Sequence, residues 1–137
     1  MAHRFTIIPE KRTAFFKFWD EVSVASAKNA FVSYTLHKDF DPTNVMVTDA
    51  REVTSIHASF QSVFFEVQGL RELLGRFAPG AVSVILVRDS TQFGYARMLQ
   101  QVLDYMSPIK LLVAYSEDEL RTLAERPDLN IAQLSMT

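Results

Sequence analysis

The chain has 137 residues, 48% of them hydrophobic and 22% charged, with a formal net charge of −2; that is ordinary globular usage for one domain able to bury roughly two-thirds of its unfolded surface. With so small a charge and no Lys/Arg run longer than Lys11-Arg12, the sequence argues against a nucleic-acid partner. The absence of cysteine excludes disulfides, thiolate nucleophiles and Cys-ligated metals, and fits a reducing cytoplasm.

In chain order, Phe5 to Ile8 and Ala14 to Trp19 are β-branched or aromatic runs separated by Pro9-Glu10-Lys11-Arg12, a turn signal that predicts an opening antiparallel hairpin. In the second run Phe16 and Phe18 face one side while Phe15, Lys17 and Trp19 face the other, so aromatics occupy both faces. Ser23 caps a helix running to about Lys38, with Ala27, Ala30, Phe31 and Tyr34 at spacings of three and four, and Asp39 to Pro42 ends it. Asn44 to Thr48 reads as a buried parallel strand with Asp49-Ala50-Arg51 at its carboxyl end. Phe60, Val63, Phe64, Val67, Leu70, Leu74 and Phe77 trace one helical stripe that stops before Pro79-Gly80.

Val82 to Val87 is a second apolar strand, and Arg88-Asp89-Ser90 leads into a helix with Tyr95, Met98, Leu99, Val102 and Met106 on one face. After Pro108, Ile109 to Tyr115 is a third such strand. Ser116-Glu117-Asp118-Glu119 then forms a capping box for a short helix with Leu120, Leu123 and Ala124 inward. Residues 1–126 thus make one domain, and from Pro127 a loose tail, 127–137, is expected. The order β-β-α-β-α-β-α-β-α defines an α/β fold with a mixed, mainly parallel five-stranded sheet in which only the opening hairpin is antiparallel. Met1 to Ile8 lacks a long apolar run, and no stretch approaches the roughly 20 apolar residues of a membrane helix. A soluble, unprocessed, cytoplasmic chain without membrane insertion is expected.

Ligands of open parallel sheets meet loops at the carboxyl ends of the strands. Those loops are expected to hold Asp20, Asp49, Arg51, Ser55, His57, Ser59, Arg88, Asp89, Ser90 and Ser116. Asp89, Ser90 and Ser116 stand before helices, where capping explains them. Ser59, His57 and Asp49 are close in sequence, but there is no Gly-x-Ser-x-Gly elbow or Gly-rich oxyanion loop, so no catalytic residues are assigned. His3, His37 and His57 lack ligand spacing, and Gly69, Gly75, Gly80 and Gly94 form no phosphate-binding signature. No metal and no cofactor is expected. Arg97, between Tyr95 and Met98, reads as a solvated or snorkelling side chain with a ligand anion as the alternative.

The stretch Val45-Met46-Val47-Thr48-Asp49-Ala50-Arg51-Glu52-Val53-Thr54-Ser55-Ile56-His57-Ala58-Ser59 resembles the strand, loop and helix start of STAS domains, the sulfate-transporter and anti-sigma-factor-antagonist family. That family's pattern is an apolar strand, Asp-Leu-x-x-Val-x-x-Ile and Asp-Ser-Ser-Gly. Here His57 stands at the Asp, Ala58 at the first Ser, Ser59 at the second and Phe60 at the Gly, so only Ser59 matches. Ser23 to Asp49, with its Asp39-Phe40-Asp41-Pro42 turn, and Phe93-Gly94-Tyr95-Ala96-Arg97-Met98 are more similar to a group of bacterial SpoIIAA-like proteins.

The resemblance implies a non-enzymatic regulatory module that binds a protein, a kinase or an anti-sigma-like regulator. It implies Ser59 as the phosphorylation site; Asp49, Arg51, His57, Arg88, Asp89 and Ser90 are the candidate partner contacts. Two rivals come from the residues themselves. Eleven Phe, with aromatics on both strand faces, would also suit a carrier or sensor for a small apolar ligand or lipid. Exposed Phe15, Phe18 or Trp19 on the edge hairpin would suit a homodimer.

Overall fold

The computed structural model describes residues 2–136. An opening hairpin pairs β1 (His3–Ile8) with β2 (Thr13–Ser23) across a short turn at Pro9–Lys11. There follow α1 (Val24–Thr35), β3 (Val45–His57), α2 (Phe60–Gln68), α3 (Arg71–Leu74), β4 (Val82–Leu86), α4 (Ser90–Met106), β5 (Lys110–Ala114), α5 (Glu117–Ala124) and α6 (Ile131–Ser135). The sheet runs β1-β2-β3-β4-β5 in sequence order, with only β1-β2 antiparallel, as the apolar runs predict.

That order has a geometric consequence. Because each parallel strand is added on the same side of the last by a right-handed crossover, α1, α2 with α3, and α4 all fall on one face of the sheet. Two cores result. Ala14, Phe16 and Met46 pack beneath Tyr34, Val63, Val67 and Val102 on the three-helix face. Phe15, Val47, Val84 and Leu86 pack with Leu120, Leu129, Ile131 and Leu134 on the other. Among the described residues no helix is long and apolar enough to cross a membrane.

The structure departs from the sequence reading in five respects. The expected strand Asn44 to Thr48 continues to His57, so Asp49, Arg51, Ser55 and His57 lie within β3, and Asp20 within β2, instead of in loops. Between Lys17 and Trp19 the partner strand advances from Asp49 to Glu52, and between Asp20 and Glu21 from Val53 to Ser55, so β3 carries an extra residue at each point. Such bulges re-aim side chains, which leaves Ala50, Val53 and Ile56 on the cavity side at spacings of three where a regular strand would alternate them. The single helix expected over the Phe60–Phe77 stripe is broken at Gly69 and Leu70 into α2 and α3, although Val63, Val67, Leu74 and Phe77 stay buried.

The expected loose tail is packed: Asn130 caps α6, and Leu129, Ile131 and Leu134 are buried against the sheet face that α5 alone is too short to cover. Phe15 is fully buried there, so it offers no sticky hairpin surface; Phe18 and Trp19 are half-buried.

Candidate functional site

The candidate residues fall into two separate groups. Asp49 is 3% exposed and receives Arg51 as a fork, Nε to Oδ1 and Nη2 to Oδ2, each at 3.0 Å. The hydrogen bond to Asp49 is the main reason the Arg51 guanidinium is held above its ordinary pKa, and Glu117 on α5 adds to it from 3.6 Å. Arg88 donates to the carbonyl of Arg51 and, at 3.2 Å, to Asp89. Asp89 caps α4 by accepting from the Gln92 N–H, which holds its carboxyl below the usual range, and Ser90 takes the first helical position. Asp49, Arg51, Arg88, Asp89 and Ser90 therefore sit together where β4 gives way to α4.

His57 and Ser59 sit elsewhere. His57 is the last residue of β3, eight positions beyond Asp49, which at about 3.3 Å per residue puts it roughly 20–25 Å away. There it lies 3.2 Å from the Ser55 hydroxyl and 3.7 Å from Glu21. Ser59 is exposed and caps α2: its Oγ accepts from the Ser62 N–H at 3.1 Å, and the Ser62 hydroxyl accepts from the Ser59 N–H at 2.9 Å. Arg97 is exposed and donates to Gln100.

Gln92 is the residue that sequence reasoning missed. It is 4% exposed, donates from Nε2 to the carbonyls of Val53 (2.8 Å) and Arg51 (3.3 Å), and accepts from the Arg88 N–H at 2.7 Å. Past Asp49, the last β3 residue paired with β4, the bulged strand has no neighbour on that side to satisfy its carbonyls, and Gln92 takes the neighbour's place. A polar residue in the first turn of an apolar-faced helix was the one available signal.

Between the sheet and its three helices lies a cavity of about 290 Å³, partly open to solvent. Its floor is the sheet from Phe16 and Met46 to Ile85 and Leu111, its roof the inner sides of α1, α2 and α4, and its end wall the projecting β2-β3 arm at Val22 and Ile56. Lys28 on α1 and Glu66 on α2 line its rim and pair at 2.8 Å. The remaining polar lining consists of a few hydroxyls and the fully engaged Gln92. The other end of the helical layer is solid: Tyr34 meets Phe16, Phe40 and Phe77 edge-on or tilted, and Phe31 stacks on Phe77. The abundant Phe thus both pack a core and, at Phe16, Phe18 and Phe31, line a cavity.

No protein-family model and no curated protein matches the chain. Among solved structures it is similar to an uncharacterised protein of the DUF3478 family with a SpoIIAA-like fold, from Shewanella loihica PV-4. The TM-score is 0.52 at 15% sequence identity, over 89% of this chain and 92% of that one. The likeness shows the fold: the chain has a SpoIIAA-like fold, as its sequence resemblance implied.

Proposed function

We propose that this SpoIIAA-like module is a receptor for a small, largely apolar molecule, which it holds in the cavity under α1, α2 and α4. The observation that carries the reading is the volume, about 290 Å³. Packed interiors rarely leave voids larger than a water molecule, and an apolar cavity of roughly 150 Å³ already admits benzene. Left unfilled, such a space is costly. Its lining is almost wholly apolar, so water that enters it meets few partners and the lining groups lack packing neighbours. A ligand that restores those contacts is stabilised by the same amount that its absence costs, less the freedom lost on binding. The test is native mass spectrometry of protein purified without denaturation, followed by titration with naphthalene. A stoichiometric adduct or saturable binding supports the reading, and the lack of both refutes it.

One observation favours a second reading, the switched regulatory module: Ser59 is exposed at the amino terminus of α2. A phosphate there would meet free backbone N–H groups and the positive end of the helix dipole. In that reading the partner is a kinase or an anti-sigma-like regulator, and Ser59→Asp must change its binding; an unchanged affinity ends it.

A further inference from the structure

Thr48 and Ser83 are the polar side chains that the two central strands contribute to the cavity floor. We infer that they are a recognition pair, and that the molecule bound is uncharged and carries a hydrogen-bonding oxygen, as an alcohol, ketone or amide does. The inference rests on the cavity being a ligand site and adds the ligand's chemistry.

The register places the pair. Met46 is opposite Ser83 and Thr48 is opposite Ile85 on neighbouring parallel strands, so Thr48 and Ser83 are diagonal neighbours on one face. Strands about 4.8 Å apart, offset by two residues at about 3.3 Å each, put their β-carbons roughly 8 Å apart. An oxygen bridging two hydroxyls at ~2.8 Å from each needs them within roughly 5.6 Å of one another, which that β-carbon separation allows.

Neither hydroxyl has a hydrogen-bond partner among the described residues, and their cross-strand neighbours offer none: Thr48 stands between Phe16 and Ile85, and Ser83 between Met46 and Leu111. In a strand reading Val-Ser-Val-Ile-Leu, a serine packs less than the aliphatic residue its position suits. Both residues are half-buried and their hydroxyls are reached from the partly open cavity, so an apolar molecule that displaces solvent there leaves them unpartnered at a cost, and one that carries an oxygen supplies the partner.

Charge completes the description. The charged residues on the cavity, Lys28 and Glu66, cancel one another at the rim, so no net positive field offsets the desolvation of a carboxylate. Gln92 has its amide committed to the β3 backbone and is not free to bind. By comparison with benzene in about 150 Å³, the volume of about 290 Å³ limits the ligand to on the order of a dozen non-hydrogen atoms.

The experiment is isothermal titration calorimetry with four probes of one shape: propylbenzene, 3-phenylpropan-1-ol, 4-phenylbutan-2-one and 3-phenylpropanoate. Each is titrated into the wild type, Thr48→Val, Ser83→Ala and Thr48→Ser. Because the hydroxyls bond nothing in the protein, the variants fold. Thr48→Val and Ser83→Ala should each weaken the alcohol and the ketone by roughly 3–10-fold, the value of one hydrogen bond. They should leave propylbenzene unchanged or tighter, and Thr48→Ser should restore the alcohol. If the variants treat all probes alike, or 3-phenylpropanoate binds best, the recognition pair is refuted while the cavity reading stands. If no probe binds any protein, the cavity reading itself falls and takes this inference with it.

Discussion

Replacing Ala50 by Leu should stabilise the protein, a result opposite in sign to what overfilling a packed core gives. Ala50 lies on β3 two residues beyond Thr48, and its methyl group borders the cavity. Leu adds three carbons. At about 0.8 kcal/mol per buried CH₂ they contribute at most ~2.4 kcal/mol, from which about 0.5–1 kcal/mol of lost rotamer freedom is subtracted. The net gain is about 1.5 kcal/mol. For 137 residues at ~2.1 cal/mol/K each, the unfolding entropy is about 0.29 kcal/mol/K, so Tm rises by about 5 °C. Ala14→Leu is the control: Ala14 is fully buried in the same core but does not border the cavity, so it should lose about 1–3 kcal/mol to overpacking. Differential scanning calorimetry on ligand-free protein measures both. If Ala50→Leu is destabilised as much as Ala14→Leu, the space under the helices is not there to be filled. If it is stabilised, naphthalene binding should weaken in the same variant.

Gln92→Ala should cost about 2–4 kcal/mol and lower Tm by about 7–14 °C, since it orphans two carbonyls of the bulged strand; calorimetry reads this directly. Ser59→Ala should lose about 1 kcal/mol by urea unfolding while Ser59→Asp stays near the wild type, because Asp caps as well as Ser. Burial raises the Tyr34 hydroxyl above its ordinary pKa of 10.0, against the lowering effect of the Asn44 amide. The folded state therefore keeps its proton longer than the unfolded one, so this stability is complete below about pH 10 and is lost as pH rises through the folded value. Thermal unfolding from pH 8 to 11 should show an alkaline loss that Tyr34→Phe reduces. Ile131→Ala should cost about 2–5 kcal/mol, whereas a residue in a loose tail would cost almost nothing.

Much of the fold was legible because its signals are local. Ser23, Ser59, Asp89 and Ser116 each accept from a backbone N–H in the first turn of the helix they precede, the work their short polar side chains are suited to. What misled the reading of β3 was its bulges. Two extra residues turn a period of two into spacings of three at Ala50, Val53 and Ile56, and the polar Thr54, Ser55 and His57 then read as a loop. The α6 segment was illegible for another reason: five residues are too few to show a helical period, and their burial depends on a sheet face the sequence does not display. The cavity left only a compositional trace, the excess of Phe, because whether an aromatic packs or lines a space depends on how closely helices approach the sheet.

The same topology explains why the polar residues at the strand ends are structural. Ligand crevices form at the carboxyl ends of parallel strands where the strand order reverses and adjacent crossovers diverge to opposite faces. Here the order never reverses. Without diverging crossovers that end carries only an open polar depression between Lys17, Asp20, Glu52 and Arg88, and the polar groups beside it satisfy one another: Asp49 with Arg51, Arg88 with Asp89, Gln92 with the bulged backbone. A sheet wound in one direction instead loads three helices onto a single face, and two of its strands run 11 and 13 residues against five in each of β4 and β5. The long pair extends past the short one, so helices that reach down to β4 and β5 cannot also close on the arm. The space left between them is the cavity, and its position follows from unequal strand lengths beneath a one-sided helical layer.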